Sequence, residues 1–180
     1  GIYKLKMNRD RTNFTGNEFF SCIGDSSRTQ IGVFNIGGRI VFTNENQFYT
    51  YNDLSDSIVP YDRLNTHLEF ITHTKHIVKV DNTYYWFITD MGIALVNLAT
   101  SNTPVIEKVL LFDNYNLRMH KDFESIVPIT PEYSILCAEN VLVLIPNKPE
   151  TNHAPLNQKM IFTHIVSYNI LKNEEQYLPV

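Results

Sequence analysis

Cysteine is almost missing from this 180-residue chain: Cys22 and Cys137 are the only two, far apart and outside any CxxC pair. They supply no zinc or redox spacing, and they read as two small buried hydrophobes in preference to a disulfide. Long apolar runs are missing too; none approaches the roughly 20 residues that cross a bilayer as a helix. Basic charge is in deficit, with 15 Lys and Arg against 19 Asp and Glu and a formal charge of −4. No basic stripe stands out, which argues against a binder of phosphate backbones. There is no GxSxG elbow, HExxH, P-loop or Cys–His pairing. An initiator Met and a signal peptide are absent at Gly1. The expectation is therefore a piece excised from a longer protein, with its address signals outside it.

What is present points to strands. Hydrophobic residues make up 43% and charged residues 19%, the balance of a folded domain and not of a disordered segment. Ten Tyr and eleven Phe favour β-structure. The stretch "NTYYWFITDMGIALVNL" (82–98) sets two apolar runs on either side of Asp90-Met91-Gly92, the pattern of a hairpin.

That hairpin recurs. "GIALV" (92–96) has counterparts in "GIYKL" (1–5), "QFYTY" (47–51) and "NVLVL" (140–144). Their second residues, Ile2, Phe48, Ile93 and Val141, are spaced by 46, 45 and 48. Each of the last three follows another strand: "RIVFT" (39–43), "YYWFIT" (84–89) and "YSILCA" (133–138). Before those come "IGVF" (31–34), "HIVKV" (76–80) and "SIVPI" (125–129), where Val33, Val78 and Val127 are spaced by 45 and 49. Turn chemistry at 35–38, 81–83 and 130–132 joins first to second strands, and tighter turns at 44–46, 90–92 and 139–140 join second to third. A fourth, more polar strand fits at 57–61 and at 105–112, with another near 18–22, and 61–68 fits a short helical turn.

Four antiparallel strands every 45 to 48 residues predict an all-β protein made of β-propeller blades. One such unit cannot bury both its faces, so neighbours must stack. Three complete units and part of another are visible, while propellers close with about four to eight blades. The expectation is the C-terminal portion of a larger ring: blades over 1–145, a Pro- and Asn-rich linker over 146–158, and a closing strand or a new β-domain over 159–180. An incomplete ring exposes free edges, so self-association is expected.

The blades resemble the extracytoplasmic propeller sensors of membrane-spanning regulators in gut-commensal bacteria, either hybrid two-component sensors or relatives ending in a LuxR-type helix-turn-helix. "YYWFITDMGIALVNL" and "GRIVFTNENQFYTYNDLSDSIVPY" match the aromatic-Trp-apolar and Gly-apolar-Tyr-x-Tyr strands of that family; "YSILCAENVLVLIPN" is a copy lacking the Trp. "KMIFTHIVSYNILKNEEQYLPV" resembles the first strands of the immunoglobulin-like domain, named for three tyrosines, that follows such propellers. The resemblance implies a periplasmic sensing portion of an inner-membrane, transcription-regulating protein that responds to a glycan-derived signal. It also implies an oligosaccharide ligand, a homodimer formed through the parent protein, a membrane helix outside this chain and no nucleic-acid contact from it. A soluble protein-interaction scaffold and a propeller-type carbohydrate-active enzyme are the alternatives.

Candidate sites are sparse. His67, His73 and His76 fall within ten residues but read as a solvated loop approaching a strand, so no metal ligands are assigned. Asp53/Asp56 and Glu174/Glu175 lie in turn or tail segments, and no catalytic residue or cofactor is assigned. Tyr49, Tyr51, Tyr84, Tyr85 and Trp86 could stack on sugars, although aromatics on inner strands more often pack sheet against sheet. Propeller geometry places ligands on a loop face or in the central channel. That makes Asn44, Glu45, Asn46, Asp90 and Met91, on the second-to-third turns, the ligand-binding candidates.

Overall fold

The computed structural model describes residues 1–20, 23, 31–44, 46–99, 103–119, 125–139, 141–148, 165–169 and 174–178, with backbone alone for Ser125 and the last two ranges. The chain divides into two compact units, Gly1–Pro149 and Glu150–Val180. Both are built from antiparallel strands, and the protein is all-β.

In the first unit, β1 (Ile2–Met7) and β2 (Phe14–Phe20) form a two-stranded sheet. A second sheet runs in chain order through β3 (Gly32–Ile36), β4 (Arg39–Thr43), β5 (Phe48–Asn52) and β6 (Ser57–Pro60). A short helix α1 (Asp62–Asn65) and a 3₁₀ turn at Glu69–Ile71 lead to the third sheet. That sheet repeats the four-stranded meander with β7 (His76–Lys79), β8 (Tyr84–Ile88), β9 (Gly92–Asn97) and β10 (Val105–Leu111). The fourth sheet has three described strands, β11 (Ser125–Pro128), β12 (Tyr133–Cys137) and β13 (Leu142–Pro146). In the second unit β14 (Ile165–Asn169) and β15 (Glu174–Leu178) make one hairpin.

The sheets pack face to face because alternate side chains of one strand are buried in different cores. Tyr85 and Phe87 of β8 join Val41 and Phe48 of the second sheet in one apolar cluster. Trp86 and Ile88, pointing the other way, join Ile126, Leu136 and Ile145 of the fourth sheet in another. A third cluster sets Phe42 and Tyr49 against Ile2 of the first sheet. This is why "YYWFI" and "IALV" read as unbroken apolar runs: with both faces covered, the alternation of a half-exposed strand disappears. The connector contributes as well. Leu64, Leu68 and Ile71 fill the core between the second and third sheets. The Asn65 side chain donates to Phe48 O at 2.9 Å and accepts from Phe48 N at 2.8 Å, standing in for a strand partner at the start of β5.

Three expectations need correction. The strand expected near 18–22 begins earlier, at Phe14, and Cys22 lies outside the described residues. The third-strand anchor of the last repeat is Leu142, not Val141: Leu142 pairs with Cys137 as Ile93 pairs with Ile88 and Phe48 with Thr43. A slip of one residue exchanges the two faces of a strand, so the distinction decides which side chains are buried. The last repeat also runs past Ile145, since β13 includes Pro146, paired with Tyr133, and Asn147 is fully buried.

Polar contacts join the first two sheets at their rim. The Lys4 ammonium bonds the Asp56 carboxylate and the Tyr51 hydroxyl. The bond from Lys4 is the main reason the Asp56 carboxyl is held below its usual 3.8. A carboxyl lowered on folding adds stability that is present above 3.8 and is lost as pH falls through its folded value. The urea midpoint of Lys4→Met is therefore expected to lie below that of the parent near neutral pH, and the gap is expected to narrow in strong acid, where the Asp56 part is gone and the Tyr51 contact remains. Denaturation curves at a series of pH values check this.

Candidate functional site

The turns singled out by sequence resolve into structural and exposed parts. Asn44 is buried, and its side-chain oxygen accepts from Asn46 N at 3.2 Å and Gln47 N at 3.0 Å. Its amide nitrogen donates to Ile23 O at 3.2 Å and reaches the Tyr49 hydroxyl at 3.5 Å. Asn44 therefore shapes the β4–β5 turn from inside. In the equivalent place after β8, the Thr89 hydroxyl donates to Gly92 O at 3.0 Å and accepts from Met91 N and Gly92 N. Asn46, Asp90 and Met91 are exposed, and Asp90 is ion-paired with Lys75. Glu45 lies outside the described residues. The hollow beside Met91, lined with Phe70, His73 and Leu111, is only about 20 Å³, room for about one water. Asn44→Ala is expected to lower stability by about 1–3 kcal/mol, since it strips the turn and leaves a buried carbonyl unpaired; urea denaturation measures it.

The larger hollow lies at the opposite ends of these strands, where β3 turns into β4 and β7 into β8. Gly37 and Gly38 form a two-residue turn with φ of 57° and 83°, a left-handed pair that glycine adopts without strain. The Asn35 side chain accepts from Gly38 N at 3.0 Å, and Gly37 N donates to the Tyr85 hydroxyl at 3.2 Å, tying this hairpin to the third sheet. Across from it, Asp81 accepts from Thr83 N and Tyr84 N, both at 2.7 Å. Lys79 Nζ donates to Asn82 Oδ1 at 3.0 Å. Asn35, Gly37, Gly38, Lys79, Asn82 and Tyr85 together line an open cleft of about 690 Å³. A second hollow of about 360 Å³, lined by Arg39, Tyr51 and Asp53 among others, shares the same two glycines.

No family model, curated protein or solved structure matches this chain. What the site can do rests on its own chemistry. The cleft offers amide groups on Asn35 and Asn82 and an ammonium on Lys79, over the buried Tyr85 at its floor, all at hairpin ends with no Cβ above the glycines. These groups suit a polar, hydroxyl-rich or weakly acidic ligand lying along the surface. On the other face of β8, burial first and then the charges of Glu107 and Asp81 raise the Tyr84 phenol above its usual 10. Among the described residues no three His, Cys, Asp or Glu side chains converge as metal ligands, and His67, His73 and His76 are exposed. Tyr49, Tyr85 and Trp86 are buried between sheets, so they pack and do not present a sugar platform.

Sequence reasoning missed the cleft because its two glycines carry no side-chain chemistry. It also missed a buried polar cluster between the third and fourth sheets. Trp86 Nε1 donates to Ser134 Oγ and to Asn147 Oδ1, each at 3.1 Å, and Ser134 donates to the same Asn147 oxygen. Asn147 in turn donates to Thr130 O at 3.0 Å through its side chain and to Glu132 O at 2.7 Å through its backbone. In sequence, a Ser inside a strand and an Asn after one both look like turn chemistry.

Proposed function

We propose that this chain is part of the ligand-recognition region of a periplasmic sensor, its sheets being blades of a propeller whose remainder lies elsewhere in the parent protein. On this reading the chain has no catalysis of its own. It takes an oligosaccharide-type signal, and the parent acts as a homodimer that passes the signal through a membrane helix to a transcription-regulating output. The observation that supports this best is the open cleft at Asn35, Lys79, Asn82 and Tyr85, set on hairpins that stacked sheets hold in place. Rigid sheets with polar groups at their turns suit recognition of a hydroxyl-rich molecule. Ligand binding shifts such a receptor only by the difference in affinity for its two arrangements.

A soluble interaction scaffold is the second reading, favoured by apolar side chains that remain exposed on the first and fourth sheets, Tyr3, Leu5 and Leu144 among them. The reading frame on either side of the chain separates the two. Further repeats and a signal peptide upstream, with an apolar helix leading into a kinase or helix-turn-helix downstream, are the expected result. A frame that stops soon after Val180 with no membrane helix would overturn the sensor reading in favour of the scaffold.

A further inference from the structure

Every side-chain oxygen that lines the cleft beside Gly37 and Gly38 already receives a donor of the protein itself. Asn35 Oδ1 accepts from Gly38 N at 3.0 Å and Asn82 Oδ1 from Lys79 Nζ at 3.0 Å. The Tyr85 hydroxyl oxygen, at the floor, accepts from Gly37 N at 3.2 Å. Backbone N–H groups and an ammonium can only donate, so these bonds also fix which end of each amide is the oxygen. What is left over is of one kind. The amide hydrogens of Asn35 and Asn82 and the remaining hydrogens of Lys79 have no acceptor among the described residues, nor has the phenol hydrogen of Tyr85.

The charge around these donors has the matching sign. Among the described residues that line the cleft Lys79 is the one charged group, and Lys79, Asn35 and Asn82 are all exposed. Asp81, on the same turn, does not line it; its carboxylate accepts from Thr83 N and Tyr84 N. Asp53 belongs to the neighbouring hollow, which it lines with Arg39. The chain as a whole carries a formal charge of −4, so an anion gains no general attraction and has to be held by these few groups.

We propose that the cleft reads a carboxylate, and that its ligand is an acidic, uronate-bearing oligosaccharide whose carboxylate is held by the Lys79 ammonium and the Asn82 amide hydrogens. Bonds from an ammonium to a carboxylate are charge-assisted and roughly twice as strong as neutral ones. The Asn35 amide is left to donate to ring and hydroxyl oxygens of the sugar. A neutral saccharide fits less well, because its hydroxyl donors meet side-chain oxygens that already hold a hydrogen bond. A single cation balances a singly charged group and not a phosphate, which carries about −1.5 to −2. The saccharide part of this inference rests on the sensor reading, and the charge of the ligand goes beyond it.

Isothermal titration of the full chain tests it, using a panel of oligouronates, the methyl ester of each, neutral oligosaccharides and an acidic peptide. Esterification keeps the sugar rings and removes the charge. At least one oligouronate is expected to bind, and its ester to bind about tenfold or more weakly. Asn82→Asp is the decisive variant: it keeps an oxygen for Lys79 and puts a negative charge where the amide donors were. It is expected to cut oligouronate affinity by about tenfold or more with an unchanged urea midpoint, which shows that the fold is intact. An acid and ester that bind alike overturn the proposal and leave the sensor reading standing. So does binding confined to neutral saccharides, or an Asn82→Asp variant that binds the acid as tightly as the parent. An acidic peptide that binds as tightly as the best oligouronate overturns it too, because the charge alone would then be recognised. A panel in which no saccharide binds overturns both readings.

Discussion

Trp86→Ala is expected to lower stability by about 3–5 kcal/mol, the range for deleting a large buried aromatic, and by more if the cavity cannot collapse. Trp86 has no exposed surface and is packed with Ile88, Ile93 and Leu95 against Ile126, Leu136 and Ile145. Its loss would also strip a donor from Ser134 and Asn147, both fully buried. Against a total stability of about 5–15 kcal/mol for an ordinary domain, that is a large fraction, and it brings the folded and unfolded forms into balance only at the low end of the range. Trp86→Phe separates the two contributions. It keeps most of the apolar volume and removes the N–H, so a smaller loss of about 1–3 kcal/mol is expected from the unpaired acceptors. Urea denaturation followed by circular dichroism measures both variants, since the chain has no second tryptophan. A Trp86→Ala variant as stable as the parent would mean that the third and fourth sheets do not pack as described.

The second large effect is expected at Gly92. A Cβ there would lie 2.2 Å from the Leu110 carbonyl oxygen and 3.1 Å from both the Leu110 carbonyl carbon and Leu111 Cα. These are backbone atoms of the neighbouring strand, so no rotamer change relieves the clash; β10 itself must move. Gly92→Ala is therefore expected to destabilise by about 1–3 kcal/mol, as overpacking of a tight contact does. It should also speed amide exchange along β10, where Leu110 and Leu111 pair with Ile93 and Gly92. Gly16→Ala is the control. Its Cβ would meet only the Lys6 side chain at 4.0 Å, and little change is expected. Hydrogen exchange together with urea denaturation distinguishes the two glycines.

Much of the strand order was legible because the repeat states it three times. Val33, Val78 and Val127 all lie on first strands that pair with the strand that follows. Val33, however, is opposite Phe42, the equivalent of Phe87, so the true counterpart of Val78 and Val127 is Phe34, opposite Val41. Where a strand is apolar on both faces, however, periodicity cannot set its phase. "NVLVL" and "VLVLI" look alike, and only the pairing of Leu142 with Cys137 shows which residues face the core. The site was less legible for a different reason. Asn44, Glu45, Asn46, Asp90 and Met91 stand out in sequence because they fall on turns between strands, where propellers carry ligands. A side chain's hydrogen-bond partners are set by tertiary approach, and Asn44 spends both of its polar atoms on its own turn and on Ile23 and Tyr49. The cleft at the other strand ends forms where the Gly37 amide meets the Tyr85 hydroxyl, 48 residues away, a contact that no local pattern announces.

Saturation-transfer NMR on a panel of oligosaccharides mixed with the whole chain tests the central claim most directly, because one spectrum reports both binding and turnover. The account predicts transfer to the protons of at least one sugar, weakened when Lys79 and Asn82 are both replaced by alanine, with no new reducing-end signals over the course of the measurement. New anomeric signals from a cleaved glycosidic bond, or no transfer to any sugar in the panel, would contradict it.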